Sequence, residues 1–107
     1  MKDNKVYINQ ILDSVEKIES FVVGMDEKQF KSDVKTQSAV IMQLSLIGEI
    51  SKKIDSQIKA RVSLPWKDIA GFRDRAIHNY FEIDLEIVWN TLVTDLPVLK
   101  KEIQKEV

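Results

Sequence analysis

The chain has 107 residues, of which 44% are hydrophobic and 31% charged, and its 16 Lys and Arg residues nearly balance 17 Asp and Glu residues. These values predict one compact domain over residues 1–107 with a hydrophobic core, and they exclude a mainly disordered chain. With no Cys and one His, the chain lacks the residues for a disulfide framework, a thiolate nucleophile or a Cys/His zinc site. A net charge of -1 excludes an extensive basic coat, so any nucleic-acid site must be local.

The N-terminal residues lack the unbroken apolar stretch of a signal peptide. No segment approaches the roughly 20 consecutive apolar residues that cross a bilayer. We therefore expect a cytoplasmic protein with no membrane partner.

The first segment has the apolar spacing of an amphipathic helix, in the row Tyr7, Ile11, Val15, Ile18 and Val22. We expect this helix to end near Gly24, since glycine suits the left-handed position after a helix. Asp26 and Gln29 then have the spacing of a capping box, which predicts a short helical turn around Phe30.

A second long helix is predicted from about Asp33. Its middle is apolar nearly all round, at Val40, Ile41, Met42, Leu44 and Ile47. Such a helix is either buried at the centre of the fold or in contact with two partners. Gly48 on this helix is predicted to let another backbone approach closely, at a propensity cost of roughly 1 kcal/mol relative to Ala.

Residues 55–64 have an alternating pattern that resembles a strand, at Ile58, Ala60, Val62 and Leu64. No neighbouring segment offers a pairing partner, so we interpret this stretch as a helix end followed by a loop. Pro65 is predicted as the first residue of the next helix, which continues through Ala76.

The last predicted helix begins near Asp84, a favourable N-cap, and continues to Ile103 with a near-heptad apolar rhythm. Pro97 within it removes a backbone hydrogen bond and is expected to bend or interrupt it. Together these elements predict an all-α protein, an antiparallel bundle of four to five helices.

Residues 73–80 do not fit the pattern of a simple bundle, because Arg73 falls in the middle of an apolar helical stripe and needs a partner there. Asp74 and His78 are four residues apart, so the carboxylate could orient the imidazole. Arg73 and His78 are about 140° apart on an ideal helix. They can converge on one ligand only through side-chain reach, a break in the helix or a second subunit, and the sequence leaves these three alternatives open.

A His and an Arg together suit phosphodiester cleavage, because imidazole transfers protons near neutral pH and guanidinium fits phosphate oxygens. In RNA, a base can take the 2'-hydroxyl proton and the oxygen can attack the adjacent phosphorus, while Arg stabilises the added negative charge without a metal. The residues alone also allow a simpler interpretation, in which the His and the Arg are a surface pair and Tyr80 is an ordinary packing aromatic.

The run from Pro65 to Tyr80, PWKDIAGFRDRAIHNY, resembles the HepT-like branch of the HEPN superfamily. The signature of that family is Arg, four residues, His, one residue and Tyr, which matches Arg73, His78 and Tyr80. The Pro-Trp and Gly-Phe pairs before the motif and the later Val88-Trp89 pair match as well.

This resemblance implies an all-α HEPN ribonuclease that uses no metal or cofactor and dimerises through the face that bears the motif. It implies that Arg73 and His78 are the catalytic pair and that Asp74 occupies the polar position after the Arg. Arg75 would support Arg73 by making a local basic groove in the homodimer.

The same resemblance implies the toxin of a toxin–antitoxin pair, acting on RNA such as tRNA or mRNA. Its antitoxin would be a minimal nucleotidyltransferase (MntA) that adds AMP to Tyr80, and a charged nucleotide there would repel an RNA phosphate. The alternative is a non-catalytic helical module that binds a nucleotide or the nucleotidyltransferase.

Overall fold

The computed structural model describes residues 4–107, which form six helices and no strand. The first five are α1 (Asn4–Val22), α2 (Glu27–Lys31), α3 (Val34–Ser51), α4 (Ser56–Arg61) and α5 (Trp66–His78). The sixth, α6, is continuous and consists of Leu85–Asn90, a π-helical segment Thr91–Asp95 and Leu96–Gln104. The predicted all-α bundle is confirmed, and the two shortest helices lie in connections between the four long ones.

The helix ends lie where the sequence placed the caps. Gly24, just after α1, has a positive φ of 77°, a conformation that glycine adopts at no steric cost. Asp26 and Gln29 form the predicted capping box at the start of α2. The side chains of Asp33 and Asp84 accept backbone hydrogen bonds at the starts of α3 and α6. These carboxylates satisfy N–H groups that have no partner within the helix.

Residues 55–64 were predicted as a helix end followed by a loop, and they contain instead a separate short helix followed by a loop. Residues Ser56–Arg61 form α4, and the Asp55 side chain caps it by accepting from the backbone N–H of Gln57 at 2.7 Å. Ile58 and Val62 are buried while Ala60 is exposed. The buried apolar residues, Ile58 and Val62, are therefore four positions apart. Residues with this spacing lie on one face of a helix and also on one face of a strand.

One proline precedes a helix and the other lies within one. Pro65 is the N-cap residue of α5, so the helix begins at Trp66, one residue later than predicted. Pro97 lies just after the π-helical segment Thr91–Asp95. Because Pro97 cannot donate a backbone hydrogen bond and its ring crowds the preceding turn, the helix widens there and continues rather than stopping. The predicted irregularity in the last helix is thus confirmed as a π-helical segment.

The α3 helix is central, since it packs along both α1 and α5. Buried side chains of α3 include Val40, Ile41, Leu44 and Ile47. A Cβ built on Gly48 would lie 2.7 Å from the Arg73 Cβ and 2.7 Å from the Ile69 carbonyl oxygen. The predicted close approach of a second backbone at Gly48 is confirmed, and that backbone is α5, the helix with the Arg–His motif.

Candidate active site

The motif lies at the C-terminal end of α5. Arg73 and Asp74 are in the body of the helix and His78 is its last residue. The backbone N–H of Asn79 still donates to the Arg75 carbonyl at 2.8 Å, and a 3₁₀ turn, Tyr80–Glu82, follows. The apolar helical stripe therefore does not extend to Tyr80, whose position is set by the turn.

The Arg73 guanidinium lies between two carboxylates. Its Nε is 3.0 Å from Oε2 of Glu49 in α3, and its Nη1 donates to Oδ1 of Asp74 at 3.3 Å. The same Asp74 oxygen accepts from Lys52 Nζ at 3.0 Å. The four side chains Glu49, Lys52, Arg73 and Asp74, here called the charge cluster, join α3 to α5 with two positive and two negative charges. The partner that Arg73 requires in an apolar stripe is thus supplied mainly by α3.

The pKa of the Asp74 carboxyl is lowered from its usual value. The largest cause is the hydrogen bond from Lys52, followed by the hydrogen bond from Arg73. Both cations stabilise the carboxylate over the neutral acid. Asp74 is therefore paired with Lys52 and Arg73, and not with His78 as the four-residue spacing had suggested.

A cavity of about 490 Å³ opens between α3, α5 and the 3₁₀ turn. Its lining is largely apolar, and its polar members include two serines and Glu49 from α3 and Arg73 from α5. The lining residues are Ser38, Ile41, Met42, Ser45, Leu46, Glu49, Arg73, Ala76, Ile77 and Tyr80. A cation in a mainly apolar cavity attracts an anion more strongly than a cation surrounded by water does.

Tyr80 lies at the rim of this cavity. Its hydroxyl is 3.2 Å from the Ser38 hydroxyl, a hydrogen bond in which either oxygen can donate. Its ring meets the Phe81 ring edge-on, with 5.7 Å between centroids. The Phe81 side chain itself is 99% exposed. Tyr80 as a whole is 41% exposed.

His78 and Arg75 lie outside the cavity. The His78 side chain is exposed, and within residues 4–107 its imidazole has no hydrogen-bonding or ion-pairing partner. Arg75 lines a second cavity of about 380 Å³ on another side of α5, where its guanidinium lies 6.0 Å from the centroid of the Phe72 ring. Arg73 and Arg75 of one chain therefore do not line the same groove. The structure brings together Arg73, Asp74 and Tyr80 and leaves His78 free for another contact.

Glu49 and Lys52 were not predicted as parts of this site. Glu49 lies in α3 and Lys52 is the residue that follows this helix, both more than 20 residues before the motif. The signal that could have found them is Gly48, because a close helix contact at Gly48 brings Glu49 and Lys52 near the partner helix.

Across residues 4–107, no group of three or more Asp, Glu or His side chains is placed to hold a metal ion. In the same residues, no helix is both long and apolar enough to cross a membrane.

The candidate site consists of an arginine held by carboxylates, an exposed imidazole about one and a half turns away, and a phenol at the cavity rim. These groups can bind a phosphate, transfer a proton and accept a covalent modification.

The sequence model of the ribonuclease HepT-like family matches residues 11–106. The chain is 38% identical over 105 residues to the "Probable ribonuclease HepT" of Thermococcus cleftensis, covering 97% of this chain and 96% of that protein. It is 37% identical to a "Putative RNase" of Methanocaldococcus jannaschii, covering 97% of this chain and 90% of the relative. A "Putative RNase" of Caldanaerobacter subterraneus subsp. tengcongensis is 33% identical, with 98% and 95% covered. No solved structure matches the chain significantly.

Proposed function

Because the chain belongs to the HepT-like ribonuclease family, we propose that it is an endoribonuclease whose catalytic residues are Arg73 and His78. The observation that supports this most is the position of Arg73. It lines a cavity, and ion pairs with two carboxylates hold its guanidinium in place. The names of the relatives, which describe ribonucleases, support the same activity.

The chemistry follows from the two groups. The neutral imidazole of His78 removes the proton of a ribose 2'-hydroxyl, and the oxygen attacks the adjacent phosphorus. The bond from phosphorus to the 5'-oxygen breaks, and a protonated imidazole returns a proton to that oxygen. The products are a 2',3'-cyclic phosphate and a 5'-hydroxyl. Arg73 stabilises the additional negative charge on the phosphorus oxygens, so the reaction proceeds without a metal.

A homodimer fits this mechanism. The mechanism has two proton transfers, one from the 2'-hydroxyl and one to the 5'-oxygen, which require a base and an acid. One chain has a single His, so two chains supply both groups. An exposed apolar surface beside Arg73, here called the motif face, consists of Met42, Leu46, Ile77 and Phe81. Large apolar side chains grouped on a surface typically mark an interface. A two-fold contact through the motif face buries these side chains and places two copies of His78 and Arg73 at one cleft.

We also propose that this single domain is the toxin of a toxin–antitoxin pair in the cytoplasm, where its RNA substrate is found. The antitoxin is a nucleotidyltransferase of the MntA type that adds AMP to Tyr80. The position of Tyr80, 41% exposed at the rim of the cavity that Arg73 also lines, supports this role. An attached AMP adds bulk and negative charge next to Arg73, so that it competes with an RNA phosphate.

One observation favours the alternative of a non-catalytic module. The Arg73 charge is already met by Glu49 and Asp74, so Arg73 could join two helices without binding RNA. In this case the exposed motif face binds the nucleotidyltransferase, which performs the chemistry.

Expression of the chain without its antitoxin distinguishes the two functions. We expect growth arrest and cleavage of cellular RNA with the unmodified chain and neither effect with His78→Ala or Arg73→Ala. Arg61→Ala is the matched control, because Arg61 forms an exposed ion pair with Glu106, outside the motif. Normal growth with all four chains, each folded and expressed at the same level, contradicts the toxin and leaves the binding module.

A further inference from the structure

The charge cluster joins α3 to the motif through two contacts. Glu49 is near the Nε side of the Arg73 guanidinium, at 3.0 Å. Lys52 is hydrogen-bonded to Asp74, which accepts from Nη1 on the other side of the guanidinium. Both residues precede the motif by more than 20 positions and belong to no part of the Arg–His–Tyr signature. Their common feature is the close packing of α3 on α5 at Gly48.

These contacts are expected to add little to the free energy of unfolding. The side chains of Glu49 and Arg73 are 41% and 30% exposed, and ion pairs at such exposure contribute little to stability because water screens them. A contact with little effect on stability can still restrict the orientation of a catalytic group. Arg has several rotatable bonds and loses substantial side-chain entropy when it is fixed in one place.

The geometry leaves part of the guanidinium for substrate. Arg has five N–H donors. The pair with Glu49 is at Nε and the hydrogen bond to Asp74 uses one N–H of Nη1. Within residues 4–107, Nη2 has no partner, and Arg73 lines the cavity. Glu49 and Asp74 therefore fix two sides of the guanidinium and leave N–H donors for phosphate oxygens.

We propose that Glu49 is a positioning residue for Arg73: it holds the guanidinium in the orientation that stabilises the transition state, without touching the RNA itself. The proposal rests on the ribonuclease function proposed above. It predicts that loss of Glu49 lowers kcat more than it changes KM, because a misplaced arginine loses an interaction made mainly in the transition state.

The test uses purified full-length chains and a short RNA oligonucleotide. We expect Glu49→Ala to lower kcat by about 10- to 100-fold, the range that a misplacement of ~1 Å produces. Glu49→Gln, which keeps the length and one oxygen of the side chain, should retain more activity. The matched control is Glu19→Ala, since Glu19 is 44% exposed and pairs with Lys100 at 3.0 Å outside the motif. It should leave kcat and KM unchanged.

A double-mutant cycle makes the test specific to Arg73. Glu49→Ala added to Arg73→Ala should not lower the residual cleavage of Arg73→Ala any further, measured in single-turnover reactions at high enzyme concentration, because the group that Glu49 positions is already absent. A further loss of the same size in the Arg73→Ala background overturns the proposal. The proposal is also overturned if the kcat of Glu49→Ala equals that of Glu19→Ala. A lower KM of Glu49→Ala at unchanged kcat overturns it as well, because that result identifies Glu49 as a competitor of the RNA phosphate for Arg73.

A spectroscopic measurement separates this proposal from the ribonuclease function. The chain has three arginines, Arg61, Arg73 and Arg75, so their Nε–H signals can be assigned by substitution. Glu49→Ala should shift or broaden the Arg73 signal and leave those of Arg61 and Arg75 unchanged. An unchanged Arg73 signal overturns the positioning role even if the unmodified chain cleaves RNA. A perturbed signal in a chain with no cleavage contradicts the ribonuclease function alone.

Discussion

Arg73 is the residue on which the proposed chemistry depends, and its surroundings come from two helices. The motif itself supplies Asp74, while α3 and the residue after it supply Glu49 and Lys52. The two positive and two negative charges of the charge cluster cancel. We therefore expect Arg73 to bind an anion mainly through the hydrogen bonds of its remaining N–H donors, and less through net charge. His78 differs, because within residues 4–107 it has no ion-pairing partner and is exposed.

The Asp74 carboxyl offers a test of the charge cluster. Its pKa is lowered, mainly by Lys52, so its pairing stabilises the fold above the usual carboxyl pKa and is lost as pH falls through the lowered value. We predict that Lys52→Met raises the Asp74 pKa toward the usual value, measured by NMR titration of the carboxyl carbon.

The control in that titration is Asp33, whose pKa is lowered chiefly by the backbone N–H of Thr36 at the start of α3. Lys52→Met should leave the pKa of Asp33 unchanged. An unaltered pKa of Asp74 in this variant contradicts the pairing with Lys52.

Tyr80 offers a test of the modification. The chain has two tyrosines, and Tyr7 is half-buried against the core in α1. We predict that co-expression with an MntA-type nucleotidyltransferase raises the intact mass by AMP units, and that Tyr80→Phe abolishes the increase. Tyr7→Phe is the matched control and should be modified like the original chain. Equal modification of Tyr80→Phe excludes Tyr80 as the acceptor.

Among the elements, the contact of α3 with α5 determines the site. The sequence predicted a close backbone approach at Gly48, without the identity of the partner helix, and it predicted the caps at Asp26 and Asp84. Local rules decide such features, because a cap or a glycine acts on the backbone within a few residues. The pairing of Arg73 with Glu49 depends on how two helices pack, which no local pattern specifies.

Two local patterns were also ambiguous. Over residues 55–64, the buried pair Ile58 and Val62 fits both an alternating strand and a helix, and the Asp55 cap decides for α4. Asp74 had two possible partners on geometric grounds, and the nearby Lys52 at the end of the neighbouring helix is the one that it contacts. A local cap therefore decides the first case, and tertiary packing decides the second.

The Gly48 contact gives a prediction about stability. Ala is favoured over Gly within a helix by roughly 1 kcal/mol, yet a Cβ at Gly48 would be 2.7 Å from backbone and side-chain atoms of α5. We predict that Gly48→Ala lowers the free energy of unfolding by about 1–3 kcal/mol, as overpacking does, measured by urea denaturation.

Gly71 of α5 is the matched control, because the nearest atom to a Cβ there is the Arg75 Nη1 at 3.8 Å. Gly71→Ala should leave the free energy of unfolding unchanged or raise it by up to about 1 kcal/mol. An equally stabilising effect of Gly48→Ala contradicts the close packing of α3 on α5.

At the scale of the whole molecule, the motif face explains how a nearly neutral chain could act on RNA. Recognition would be concentrated at one cleft between two copies, and the rest of the surface would bind RNA weakly. The apolar side chains of α3 that remain exposed include Met42 and Leu46, at 58% and 41%. The sequence left open whether α3 is buried at the centre of the fold or contacts two partners. The structure shows that α3 is central and that some of its apolar side chains remain exposed.

The proposed dimer predicts the effect of a charge on the motif face. Phe81 is 99% exposed, so Phe81→Asp removes almost no packing within one chain, but it introduces a carboxylate into the interface. We predict that the original chain has the mass of two chains by light scattering and that Phe81→Asp has the mass of one, with the same helical content by circular dichroism.

The control is Val23→Asp, because Val23 is also an exposed apolar residue, at 80%, but lies outside the motif face. It should remain dimeric. Dimers of Phe81→Asp that are as stable as those of the original chain contradict an interface through the motif face.

Cleavage of a defined RNA by the purified chain in excess EDTA tests most directly whether His78 and Arg73 cleave RNA without a metal. We predict a 2',3'-cyclic phosphate product, no cleavage at a nucleotide with a 2'-deoxyribose, and loss of activity in His78→Ala and Arg73→Ala but not in Arg61→Ala. Cleavage that requires an added divalent cation, proceeds at the 2'-deoxyribose or persists in the folded His78→Ala variant contradicts the proposed mechanism.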